Sequence, residues 1–120
     1  MAAEGYHPNR SQVGGNTLMD FLRAEVTENI LEVPGIGRAS KIALENAGVF
    51  TTYQLIAKYL SLKGPGVSPV EHADRFWFWL KSIGTANGSR GGVVRCIAEK
   101  VNILLPNTYC SEAYEEFGIF

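Results

Sequence analysis

Apolar residues along this chain recur at steps of three and four, and strand-like alternation is weak throughout, so the pattern predicts an all-α fold. Leu18, Phe21 and Leu22 share one face of a helix predicted over residues 18–26, with Asn16 or Thr17 as its cap. A short helical turn over residues 27–32 carries Ile30 and Leu31. It stops at Pro34, because the residue before a proline avoids the helical region. A tight turn follows, then a helix over residues 38–47 with Ala39, Ile42, Ala43 and Leu44 packing and Gly48 as its left-handed terminator. Thr51 or Thr52 caps a helix over residues 53–62, where Ile56, Tyr59, Leu60 and Lys63 keep the 3.6-residue period. Residues 64–69 read as a loop, and helix resumes near Glu71. There Phe76, Trp79, Leu80 and Ile83 form a core-type stripe, widened by Trp77 and Phe78. Residues 84–88 break the chain. Ser89 then caps a last long helix carrying Val94, Ile97, Val101 and Leu104, which Pro106 closes.

Three regions follow from this pattern: a mobile leader (residues 1–15), one compact five-helix domain (residues 16–106), and an acidic, aromatic tail (residues 107–120). The 120 residues suit one domain with a modest core. No stretch approaches the roughly 18 apolar residues of a membrane span, and the first residues lack the apolar run of a secretory signal. An intracellular protein without membrane insertion is expected. Cys96 and Cys110 lack metal-ligand spacing and read as free thiols, so neither metal nor cofactor is expected.

The chemistry concentrates at Val33-Pro34-Gly35-Ile36-Gly37. Ile36 can turn inward and anchor the turn between two helices, leaving the turn amides pointing outward at the start of the helix that begins at Arg38. A helix start carries unsatisfied N–H donors and about half a positive charge, which suits phosphate. Arg38 and Lys41 and the Ser40 hydroxyl lie in the first turn, within reach of the same phosphate or its neighbour. This is a helix-hairpin-helix reading for double-stranded DNA, in which contact to sugar and phosphate carries almost no sequence information. A net charge of -1 runs against it, because the usual electrostatic footprint is strongly basic. A dinucleotide site is excluded, since no strand precedes the glycines, and no Walker lysine follows them.

Four stretches resemble the barrier-to-autointegration factor family. They are residues 19–25, residues 31–44 with Gly35-Ile36-Gly37, residues 53–63, and the segment with Asp74-Arg75-Phe76, Trp79-Leu80-Lys81 and Ala86-Asn87. The resemblance spans residues 17–104 and implies a five-helix, SAM-like homodimer that binds double-stranded DNA without sequence preference and bridges two duplexes. It implies a DNA face at Gly35, Gly37, Ala39, Ser40, Ser89 and Arg90, and a dimer face at Ala57, Ser61 and the stripe from Phe76 to Trp79. It also implies a nuclear, chromatin-associated setting, for a cellular or a viral protein, and a groove at the dimer seam for LEM-type domains of nuclear membrane proteins. The family carries lysines where this chain has Ala43 and Ser89, with Arg38, Lys41 and Arg90 at adjacent positions. Three phosphates per site predict a log–log salt slope of about -3, at about -0.9 per phosphate.

Two other classes compete. An enzyme would need a catalytic set, and only His72 beside Asp74 suggests one; a solvated loop pair explains it, and no small-molecule substrate is expected. A protein-interaction module of the same fold with weak or lost DNA binding fits the near-neutral charge. In it the tail, with Tyr114, Phe117 and Phe120 at steps of three, would fill the groove.

Overall fold

The computed structural model describes residues 4–114 and is all-helical, with no strand among the described residues. Among the described residues five α-helices form the frame: α1 (Gly15–Arg23), α2 (Arg38–Asn46), α3 (Thr52–Ser61), α4 (Pro69–Ser82) and α5 (Asn87–Leu104). Two 3-10 turns, Pro8–Arg10 and Ile30–Glu32, precede α1 and α2 respectively. The radius of gyration of 13.4 Å matches the roughly 13–14 Å of a compact chain this long. No helix among the described residues is long and apolar enough to cross a membrane.

Helix α5 is the axis of the fold, packed by α4, α1, α3 and the first 3-10 turn. Its Val94, Ile97 and Val101 are buried as the periodicity predicts, but Leu104 is exposed. Two helices start with side-chain caps: the Thr51 hydroxyl accepts from the Gln54 amide at 3.1 Å, and the Ser68 hydroxyl from the Glu71 amide at 3.1 Å. Ser68 and Pro69 therefore begin α4 rather than closing the preceding loop, since proline suits the first helical position. Gly14, not Asn16 or Thr17, precedes α1, and Ala86, not Ser89, precedes α5.

The buried face of α2 differs from the expected one. Leu44 is buried as expected, but Ser40 points inward beside it, while Ala39 and Ile42 are exposed. In α3 the buried residues are Thr52, Leu55 and Tyr59, with Ile56 and Leu60 at the margin.

The leader corrects a second expectation, because its described part, residues 4–14, is docked. Tyr6 is buried, its amide donates to Asp74 Oδ1 at 2.8 Å, and its hydroxyl meets that of Tyr109 at 2.7 Å. Tyr114 packs edge-on against Tyr6, so leader and tail share one aromatic cluster. Burying one such side chain stabilises by about 1.5–3 kcal/mol, less than the ordering cost of about ten residues at about 1–2 kcal/mol each, so the strap is held by its contacts together. Desolvation pushes the Tyr109 phenol up to about 12, so it stays neutral. The expected row of Tyr114, Phe117 and Phe120 lies mostly outside the described residues.

His72 is neither in a loop nor solvated. It lies in α4, fully buried, stacked on Tyr59 at 3.9 Å, with Nε2–H donating to the Tyr59 carbonyl at 2.6 Å. Asp74 engages the leader instead, so the two form no pair.

Candidate nucleic-acid interface

Ile30, Val33 and Ile36 anchor the segment before α2 in the core, and the Ile36 amide closes a turn on the Val33 carbonyl at 3.0 Å. Gly35 has φ +95°, and a Cβ there would lie 3.0 Å from both the Ser89 carbonyl and a Val93 methyl. Only glycine allows that backbone angle together with that approach. The turn is thereby pressed against the first turn of α5.

No side chain caps α2, whose first intrahelical bond runs from the Lys41 amide to the Gly37 carbonyl at 2.9 Å. The amides of Arg38, Ala39 and Ser40 are thus the helix's open donors. Helices α1 and α5 also start without a side-chain cap. Gly14 and Thr17 from the start of α1, Pro34 and Gly35 from the turn, and Gly88 and Ser89 from the start of α5 line one concavity of about 330 Å³. The helices that possess side-chain caps, α3 and α4, contribute nothing to it. Two positive helix ends, those of α1 and α5, therefore lie around one place, beside the glycine turn that leads into α2.

The predicted side chains divide. Gly37, Arg38 and Ala39 are exposed, as a phosphate contact requires. Lys41 is half-buried and sits 3.9 Å from Glu45, a loose pair on one helix face. Arg38 makes no ion pair among the described residues. Ser40 is buried, and its hydroxyl accepts from the Ala86 amide at 3.4 Å, tying α2 to the segment before α5 rather than meeting solvent. Ser89 is half-buried, with its hydroxyl donating to the Ala86 carbonyl.

Arg90 is the main correction. It is buried, lies 4.8 Å over the Trp77 ring, and donates to the Thr85 carbonyl at 2.7 Å, the Thr85 hydroxyl at 3.2 Å and Asn87 Oδ1 at 3.2 Å. Desolvation holds its pKa below the ordinary arginine value. Its donors serve the 85–87 segment, so it is a structural clamp behind the surface.

The expected dimer face is also divided. Ala57 and Ser61 are exposed and Trp79 is half-buried beneath Lys58, whose ammonium lies 5.1 Å from the ring centroid. Phe76 is fully buried between Tyr59 and Trp79 and offers nothing to a partner. On the other flank of α3, Leu22, Val26, Tyr53, Ile56, Ile103 and Leu104 line an apolar groove of about 520 Å³. The periodicity assigned Leu104 to the core and so concealed this groove. Lys100 lines the groove as well, its ammonium donating to the carbonyls of Phe21 at 2.7 Å, Leu22 at 3.2 Å and Ala24, which closes the C-terminal end of α1.

Among the described residues no cluster of His, Cys, Asp or Glu suits a metal ion. No protein-family model, curated protein or solved structure matches the chain. The features in hand define an all-helical domain with a glycine turn pinned between two uncapped helix starts.

Proposed function

We propose that this protein is a helix-hairpin-helix module of barrier-to-autointegration-factor type that binds the backbone of double-stranded DNA without sequence preference and bridges duplexes as a homodimer. The observation that carries the reading is the meeting of the uncapped starts of α1 and α5 at the Gly35 turn, which leads directly into the uncapped α2, because open amides there match phosphate oxygens. With Arg90 buried, Arg38 and Lys41 are the cations that α2 supplies, and the two phosphates they neutralise contribute about -2 to the log–log salt slope. Such binding is weak per site, and pairing two sites in a dimer raises it by avidity. The second copy would seat on the exposed side of α3, from Ala57 and Ser61 to the groove at Tyr53, Ile56 and Ile103. The role is binding without catalysis, in a nuclear or chromatin setting.

The test is a titration of a fluorescent random-sequence duplex at two salt concentrations, comparing wild type with Gly37→Glu. Gly37 has extended backbone, and a Cβ there meets nothing within 4 Å, so this variant places a carboxylate at the site and keeps the fold. Binding that weakens with salt, ignores sequence and is lost in Gly37→Glu upholds the reading. A folded wild type that fails to bind at low salt refutes it. The burial of Arg90 and the apolar groove favour a second reading, an interaction module whose partner is a LEM-type domain. That reading is upheld if Leu104→Glu abolishes partner binding in a protein with no DNA affinity.

A further inference from the structure

The docked leader adds a wall to the proposed DNA surface. It crosses α5 at Gly91 and Gly92, where added Cβ atoms would lie 3.4 Å from Ser11 Cα and 3.6 Å from Val13 Cβ, so the strap lies directly against the helix. Arg95 donates to the Ser11 hydroxyl at 3.4 Å, and the Tyr6 contacts to Asp74 and Tyr109 hold the strap's other end. Between strap and helix runs a polar groove of about 540 Å³, lined by Asn9, Arg10 and Gln12 on one side and by Asn87, Gly88 and Gly91 on the other. It shares Gln12 and Gly88 with the concavity at the glycine turn, so the two lie side by side along the start of α5. Arg10 is exposed on its wall and makes no ion pair among the described residues, whereas Glu4, the acidic residue of the same groove, is already paired with Lys81.

Resting on the DNA reading above, we infer that Arg10 is a phosphate-contacting residue and that the strap extends the interface from the glycine turn along the start of α5. A duplex seated on the turn meets Arg10 as a third cation, in place of the buried Arg90. The neighbouring open amides of α5 and the side chains of Asn9 and Gln12 supply uncharged donors to the same backbone.

The experiment compares wild type, Arg10→Gln, Arg10→Lys and Arg75→Gln by duplex titration across a salt series. Arg75 is exposed and ion-paired to Glu71 outside the groove, so its variant matches the loss of net charge. The inference expects a wild-type slope near -3, which Arg10→Gln reduces to about -2 with roughly eightfold weaker binding at 0.1 M salt, at about 0.9 per phosphate. Arg10→Lys and Arg75→Gln keep the wild-type slope. Equal slopes in wild type and Arg10→Gln, or equal losses in Arg10→Gln and Arg75→Gln, overturn it while leaving the glycine-turn reading standing. A wild type that does not bind removes both. Tryptic cleavage after Arg10 in the unmutated protein gives a second readout. Saturating duplex slows that cut; equal rates at Arg10 with and without duplex count against the inference.

Discussion

Replacing Arg90 with alanine separates a structural from a DNA-contacting role for the most basic side chain at the start of α5. The guanidinium makes three hydrogen bonds, at 2.7 to 3.2 Å, to Thr85 and Asn87, and covers Trp77. Hydrogen bonds from a charged donor contribute about 1.5–3 kcal/mol each, and a desolvated cation–π contact adds about 2 kcal/mol. These values are not additive, and burying the cation has its own cost, so a net loss of about 3 kcal/mol is expected. An unfolding entropy of about 2 cal/mol/K per residue converts this to a fall in Tm of roughly 12 °C. Arg90→Lys recovers little of it, because an ammonium lacks the planar fork that reaches both Thr85 and Asn87. The assay pairs a circular dichroism melt with a duplex titration at 15 °C, where the variant remains folded. The slope of affinity against salt stays at the wild-type value. A variant that melts within 2 °C of wild type yet loses about one unit of slope would show Arg90 reaching the phosphates, and the burial argument would fail.

Other perturbations follow from the same contacts. Gly35→Ala strains a positive φ and pushes against Ser89 and Val93, costing about 1–3 kcal/mol in a denaturant titration, whereas Gly37→Ala, unstrained but at the N-cap of α2, costs about 0.5–1 kcal/mol. Lys100→Met leaves the carbonyls of Phe21, Leu22 and Ala24 without their donor and lowers stability by about 2–3 kcal/mol in the same titration. Burial holds the His72 pKa below its ordinary value, opposed by its bond to the Tyr59 carbonyl and reinforced by Lys63 and Arg75. The unfolded chain therefore binds the proton more readily: stability is full above about pH 6.5 and is lost as pH falls from there through the folded value. Melting temperature should drop between pH 7.5 and 5.5, and His72→Gln should flatten that dependence; equal profiles would remove His72 as its source.

Local chemistry made part of this molecule readable in the sequence, and long-range packing hid the rest. The span of α2 could be read because Pro34 bars helix at the residue before it and Gly48, at φ +88°, takes the left-handed conformation that ends the helix. Its buried face could be read only in part: Leu44 is buried as the period expects, but Ser40 joins it in place of Ala39 and Ile42, and only contact with the Ala86 segment selects that turn of the helix. The leader looked mobile because its composition is polar. Its docking rests on Tyr6, whose partners Asp74 and Tyr109 lie 68 and 103 residues away. Arg90 is the same case with opposite consequence, since nothing in its own sequence neighbourhood announces that Trp77 of α4 will sit beneath it. For the candidate site, the parts made of backbone, the glycine turn and the open amides of α2, were visible beforehand. The identity of the cations was not, because a charge at the right position in sequence becomes a phosphate contact only if packing leaves it exposed. That asymmetry explains why Arg90, which the sequence nominates, falls behind the surface, while Arg10, from a segment that seemed to lack structure, stands on it.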